Sequence, residues 1–357
     1  MVKLLIQPQD GIAELLSAIK KAKKTIAIVI FRFDRAEIEA ALKAAVRRGV
    51  SVSALIAYAN RGGEKHLRKL EMRLLDAGAK VSRTADDLGR YHDKLMIVDR
   101  RVLYVLSFNF THLDIDHSRA FGIVTRKAKL VQEAVNLFDA DSERKPYTAG
   151  LDTFIVSPVN ARKQLAAFIH KAKKELLIYD PNIADTEMAK ALTNRAKAGV
   201  KIRIIGAMSR KSPHIHVRRL TGLRLHTRAI IRDRREAFVG SQSLRKIELD
   251  KRREVGVIVR ESKTLSRLVD TFEADWSAKE LSANPEATAK ELKKAVKSAA
   301  AELTPLNPIV RQAVTDVVEK TGCEDLDPTE VQESVQKAVK EAVRERVQEI
   351  MNEAGDA

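Results

Sequence analysis

Two kinds of apolar run alternate along the first 280 residues of the chain. In IAELLSAIKKAKK (12–24) the apolar residues Ile12, Leu15, Leu16 and Ile19 recur at helical spacing, and TIAIVIF (25–31) then runs continuously apolar for the length of a buried strand. EIEAALKAAVRRG (37–49) repeats the helical spacing and stops at Gly49, and SVSALIA (51–57) is a second buried strand. Helices alternating with strands that have no polar face predict an α/β chain whose sheets are covered on both sides, mixed and largely parallel.

The same order returns later. KQLAAFIHKAKK (163–174), ELLIYD (175–180), EMAKALTNRAKAG (187–199) and KIRIIGA (201–207) repeat the four segments, with Gly199 lying 150 positions after Gly49. Farther on, the repeat continues at a different spacing: YHDKLMIVDRRVLYVLSFN (91–109) matches LHTRAIIRDRREAFVGSQS (225–243) at an offset of 134. The first copy is therefore longer by 16 residues, a surplus that falls around 60–81 and predicts one additional helix and turn. VQEAVNLFDADSE (131–143) and LSRLVDTFEADWS (265–277) close the two copies alike. These boundaries give a first half at 1–148, a second at 149–280, and a pseudo-twofold pair as the simplest packing of duplicated units. Beyond them, 281–357 changes character: Ala- and Val-rich helical periods follow Asn284, Asn307 and Asp327, each standing before a proline, which predicts a helical extension.

Composition narrows the setting. The formal net charge is +17, but 281–357 carries 10 basic against 15 acidic residues, so the remaining 280 residues hold 55 against 33. A body this basic suits an anionic partner such as nucleic acid or a phospholipid surface. Cys323 is the only cysteine, which excludes an intrachain disulfide and a thiolate metal cluster. The apolar runs are too short to cross a bilayer, so the expectation is a cytoplasmic protein that could associate peripherally with the inner face of a membrane.

Candidate chemistry lies in the repeat. In an extended segment His92 and Lys94 share one face, and Asp93 points the other way. The second copy puts His226 and Arg228 in the same relation, so a twofold arrangement would gather two imidazoles and two cations at one interface. HDKLMIVD (92–99) followed by LSFN (106–109), and HTRAIIRD (226–233) followed by GSQS (240–243), resemble the duplicated H-x-K-x4-D-x6-G-S-x-N signature of the phospholipase D superfamily, including bacterial phospholipase D and cardiolipin synthase relatives. The resemblance spans roughly 3–276. It implies a phosphohistidine mechanism without cofactor or metal, with His92, Lys94, His226, Arg228 and Glu254 catalytic and Ser107, Asn109, Ser241 and Ser243 donating to the phosphate. In it Glu254 is the carboxylate that fixes a catalytic histidine, and its spacing points to His226. Asp99 and Asp233 fall after the motif strands and are expected to fix turns, and Gly240 lies within the second motif; all three are read as structural.

Four departures split between the copies. Leu106 replaces the usual glycine and Ala120 the counterpart of Glu254, which leaves His92 without its expected carboxylate unless Asp114 or Asp116 stands in. Arg228 replaces lysine and Ser243 asparagine. The leading expectation is a phosphodiesterase or phosphatidyltransferase acting on phospholipid headgroups. A metal-independent nuclease and a degenerate phosphate- or anion-binding relative are the alternatives. His214 and His216, two apart in a basic stretch, are expected to be loop residues or phosphate contacts, not metal ligands.

Overall fold

The structure, a computed structural model, describes residues 2–58 and 64–278. The helical extension expected for 281–357 lies outside the described residues. The first half runs β1 (Val2–Gln7), α1 (Ala13–Lys21), β2 (Thr25–Ile30), α2 (Ala36–Arg47), β3 (Ser51–Ile56), α3 (Glu64–Asp76), β4 (Lys80–Arg83), β5 (Arg90–Tyr91), β6 (Leu95–Val98), β7 (Val102–Leu106), α4 (His112–Asp116), β8 (Ser118–Thr125) and α5 (Ala128–Ser142). The second half repeats it: β9 (Phe154–Ser157), α6 (Ala161–His170), β10 (Glu175–Ile183), α7 (Thr186–Lys197), β11 (Lys201–Met208), β12 (Ile215–Arg218), β13 (Arg224–Leu225), β14 (Arg228–Arg232), β15 (Glu236–Gly240), α8 (Lys246–Asp250), β16 (Arg252–Val259) and α9 (Ser262–Ser277). α3 has no counterpart and accounts for the surplus seen in the first repeat. α2 and α7 both end where Gly49 and Gly199 take positive φ, a conformation that releases the chain from the helix.

Each half contributes an eight-stranded mixed sheet, in the orders β1-β8-β7-β6-β2-β3-β4 and β12-β11-β10-β14-β15-β16-β5, with β13 added on β8 and β9 on β16. The fold class is α/β, as the alternation predicts. Parallel pairing is less dominant than expected: β2–β3, β3–β4 and β8–β13 are parallel, and the four pairings from β1 through β8, β7 and β6 to β2 are antiparallel. The second sheet has the same ratio. The reason is a pair of tight turns that turn the motif segment into a hairpin. Asp99 and Arg100 stand at φ 52° and 49°, and Asp233 and Arg234 at 52° and 55°, the left-handed pair of a mirror-image turn. No Asn-Gly or Asp-Gly marks either turn, and the sequence signals them only through Asp99 and Asp233 after the motif strands.

Burial divides into three layers. α1, α2 and α3 cover the outer face of the first sheet through Leu15, Ile19, Leu42 and Leu70, while α6 and α7 cover the second through Leu165, Phe168, Met188 and Leu192. Between the sheets a shared core takes residues from both halves, among them Phe121, Tyr179, Val239 and Val255, together with the buried stripes of α5 and α9. Phe121 and Phe272 both meet Tyr179 edge-on, with centroids 5.3 and 5.1 Å apart. Because apolar burial is the main favourable term in folding, neither half has a complete core alone.

Two buried ion pairs cross this core and mirror each other. Arg119 on β8 grips Asp275 on α9 with Nε at 2.8 Å and a second nitrogen at 2.9 Å, and Arg253 on β16 reaches Asp141 on α5 at 3.0 Å. The paired residues are offset by 134 in each case, and each pair joins opposite halves. The relation is isologous, as a twofold requires.

Candidate active site

The short strands that precede the two motif histidines leave their own sheets. β5 pairs in parallel with β16 of the second half, and β13 with β8 of the first. His92 N–H therefore donates to Arg253 O at 2.8 Å, and His226 N–H to Arg119 O at 3.1 Å. This exchange decides which carboxylate each histidine meets. The one next to Arg253 is Glu254, and both of its oxygens lie 3.0 Å from His92 Nδ1. The expectation that Glu254 serves His226 is thus corrected: the residue 28 positions after a motif histidine is placed by the exchanged strand on the other one. Ala120 accordingly deprives His226, not His92.

Asp114 stands beside His226 instead. Thr111 caps α4 by accepting from Asp114 N–H at 3.2 Å, and Asp114 Oδ2 accepts from Asn109 N–H and Nδ2–H at 2.6 and 2.7 Å. Arg224 donates to Oδ1, and His226 Nε2 lies 3.2 Å from Oδ2. The sequence named Asp114 only as a stand-in for a carboxylate at His92. Its signal was the missing Glu at position 120, and its partner depended on the exchange.

The two motif cations are equivalent in placement. Lys94 Nζ donates to His92 O at 2.5 Å, and an Arg228 guanidinium nitrogen to His226 O at 2.9 Å. Lys94 is 1% exposed and lies 5.5 Å from the Phe31 ring centroid, and Phe31 also meets the His92 ring edge-on at 4.6 Å. Phe31, at the end of β2, was not singled out in the sequence, since a phenylalanine closing an apolar strand has no distinguishing pattern.

Burial dominates the electrostatics. It lowers His92 well below the ordinary imidazole value, reinforced by the charges of Lys94, Arg228 and His226, so both motif copies act on one locus. Burial also brings Lys94 down to about 7, with Glu254 opposing and Arg228 adding to the shift. His226 falls to about 3 although Asp114 opposes it. Glu254 is pushed up to about 8 by burial and by nearby Glu248. Asp114 is held far below the carboxylate range: burial opposes its ionisation, but His226, Arg224 and the Asn109 N–H prevail.

The four expected phosphate donors are engaged within the protein. Ser107 Oγ accepts from Phe121 N–H at 2.9 Å, and Ser241 Oγ from Val255 N–H at 3.2 Å. Asn109 donates to Asp114, and Ser243 Oγ donates to Asp180, which also accepts from Leu244 N–H at 2.7 Å. These residues shape the backbone around the histidines. Asp99 accepts from the N–H groups of Lys23, Lys24 and Thr25, and Asp233 from those of Lys173, Lys174 and Glu175, tying each hairpin turn to the helix-to-strand corner beneath it. At Gly240 a Cβ would stand 2.7 Å from Gly256 Cα and 2.8 Å from Phe238 Cζ, so the close approach of β15 to β16 needs glycine there. In the first half the glycine of the corresponding strand pair is Gly122, opposite Leu106. His214 and His216 are exposed, His216 on the edge strand β12 against Arg203 of β11.

The family model described as cardiolipin synthase, PLD-like domain matches residues 15–142 and 165–276, one segment in each half. The chain belongs to the phospholipase D superfamily. Solved structures of similar fold include a polyphosphate kinase from Porphyromonas gingivalis, with a TM-score of 0.65 at 18% identity over 76% of this chain; the match spans 46% of the kinase. A phosphatidylserine synthase from Haemophilus influenzae gives 0.60 at 13% identity, over 85% of this chain and 94% of that one. Nuc of Salmonella typhimurium, a phospholipase D family member, is 26% identical over 41% of this chain and 96% of its own, with a TM-score of 0.37. No curated protein matches the sequence. Among the described residues no helix is long and apolar enough to cross a membrane.

Proposed function

We propose that this phospholipase D superfamily chain cleaves phosphodiesters through a phosphohistidine on His92, and that its substrate is a phospholipid headgroup diester. The observation that carries the reading is the Glu254–His92 contact. With Nδ1 facing the carboxylate, Nε2 is the nitrogen left to attack phosphorus, and a carboxylate behind an imidazole makes it a better nucleophile. The Nε2 lone pair forms the N–P bond as the bond from phosphorus to the leaving oxygen breaks, and that oxygen takes a proton from His226. Water or an alcohol then attacks phosphorus, returns a proton to His226 and releases His92. The arriving diester adds negative charge beside His226, which favours the protonated ring that burial disfavours in the free protein. Lys94 and Arg228 offset the charge that grows on the phosphoryl oxygens.

The lipid assignment rests on the cardiolipin synthase-like family description and on the basic body. A paired assay tests both parts: vesicles of zwitterionic and anionic phospholipid against plasmid DNA and RNA, each with wild type and His92→Ala, in excess EDTA. Headgroup release or exchange lost in His92→Ala, with an acid-labile phosphoryl adduct mapping to His92, is the expected result. Cleavage of nucleic acid alone overturns the lipid assignment. An adduct on His226 reverses the histidine roles, and activity that EDTA abolishes and added metal restores overturns the mechanism.

A further inference from the structure

The two histidines are held at different nitrogens. Glu254, fully buried on β16, faces Nδ1 of His92, the nitrogen that does not react. The equivalent position on β8 is Ala120, also fully buried, so nothing of that kind can reach His226 from there. Asp114 approaches from another direction, off α4, and lies beside Nε2. It is 3% exposed, and its other contacts, to Asn109 and Arg224, fix it in place. Glu248, its counterpart in the second half, accepts from Ser243 N–H in the same way at 2.7 Å, but its carboxylate faces Arg245 and Arg252 at 3.8 and 3.5 Å. The contact with a histidine is therefore particular to Asp114.

His226 Nε2 is buried and has no hydrogen-bond partner although Asp114 Oδ2 is 3.2 Å away, so the carboxylate sits beside the nitrogen without lying along its N–H direction. At this distance the carboxylate acts on the ring through its charge. The groups facing the ring are Asp114 from α4, Arg224 from β13, Arg228 from β14 and His92; the two guanidinium groups disfavour the imidazolium, and Asp114 favours it.

We propose that Asp114 is the positioning residue of the proton-transferring histidine, holding a proton at Nε2 of His226 for delivery to the leaving oxygen and so replacing the carboxylate that Ala120 lacks. The substitution at position 120 then divides the labour between two histidines that the duplication made equivalent: His92 with Glu254 attacks, and His226 with Asp114 carries the proton. This rests on the phosphohistidine reading above. In the first step the Nε2 proton passes to the departing oxygen as its bond to phosphorus breaks. In the second, the attacking water or alcohol returns a proton to Nε2.

The test has one readout in the resting protein and one in turnover. In the full-length chain, with inorganic phosphate as the site anion, imidazole ¹⁵N shifts give the titration midpoint of His226. Asp114→Asn, which keeps an oxygen for the Asn109 N–H, is expected to lower that midpoint by about one pH unit or more, the size of an opposite charge removed at this distance. In turnover, Asp114→Asn is expected to slow an alkyl-alcohol diester on the order of 100-fold while slowing a p-nitrophenyl diester far less, because a good leaving group needs little protonation. Adding Ala120→Glu should restore part of the alkyl rate. An unchanged midpoint, or equal losses on both diesters, overturns the proposal and makes Asp114 a structural residue. If wild type cleaves neither diester and forms no adduct, the phosphohistidine reading fails, and the His226 midpoint still decides whether Asp114 stabilises the imidazolium.

Discussion

His92 belongs to the first half of the chain and Glu254 to the second, yet the imidazole Nδ1 lies 3.0 Å from both oxygens of that carboxylate. A site assembled this way needs both halves folded and docked before the contact can form. Glu254→Gln keeps the shape and leaves a group that cannot ionise. It is expected to lower turnover by about 100-fold or more while His92 remains in place, the range seen when a base loses the group that orients it. Steady-state kinetics on the activated and alkyl diesters checks it; a loss under tenfold on both would mean Glu254 does not activate His92.

The resting site should lose competence as pH rises. Lys94, brought down to about 7 by burial, carries its charge below that value and loses it above. The pH profile of kcat/KM, which reports the free enzyme, is expected to fall above about pH 7 as that charge is lost. In Lys94→Arg, whose guanidinium stays charged, the Lys94 part of that limb should disappear and the fall should begin at higher pH. An unmoved limb would assign it to another group.

Arg228 copies the carbonyl contact that Lys94 makes in the other half, so a lysine should fit where the arginine stands. Arg228→Lys is expected to keep activity within about tenfold, and Arg228→Ala to lose 100-fold or more, because the transferring phosphoryl group needs the charge more than the fork. Undiminished turnover in the alanine variant would remove Arg228 from the site.

The mirrored pairs Arg119–Asp275 and Arg253–Asp141 should hold the halves together as one cooperative unit. Removing one partner leaves the other charge buried, so Arg119→Ala is expected to destabilise the fold by about 3–5 kcal/mol. Denaturant unfolding followed by fluorescence and by circular dichroism should shift together. Two separated transitions in wild type would show that the halves unfold independently.

Asp93 supplies a stability test that does not depend on activity. It is 1% exposed, lies near the Asp141–Arg253 pair, and is pushed up to about 7, from 3.8, by burial and by Asp141. A carboxyl raised on folding is protonated in the native state where the unfolded chain has already ionised, so its contribution is present below about pH 4 and is lost as pH climbs to about 7. Asp93→Asn removes that loss. The variant's melting temperature relative to wild type should rise between pH 5 and 8; a constant difference would show that Asp93 titrates normally.

The architecture and the composition of the site follow from local pattern and duplication. Helical spacing in 12–24 and 37–49, apolar strands between, and Gly49 and Gly199 at the helix ends are consequences of side-chain periodicity and backbone freedom, which neighbouring residues carry by themselves. The paired motifs made His92, Lys94, His226 and Arg228 candidates, the family resemblance added Glu254, and the extra helix α3 was visible as a difference between two offsets. The hairpin turns were legible only through Asp99 and Asp233, expected to fix turns after the motif strands; their left-handed geometry was not, because it is held by contacts from the β2 and β10 corners.

Which residue serves which histidine was decided only by the tertiary structure. β5 and β13 are two residues long, too short for periodicity to show their partners, and each pairs with the other half's sheet. That exchange moves Glu254 from His226 to His92 and leaves His226 to Asp114, although no residue in the sequence changes. Strand pairing over more than 100 positions depends on which edge is open when the halves meet. That is a property of the shared core between the sheets, and no local pattern encodes it.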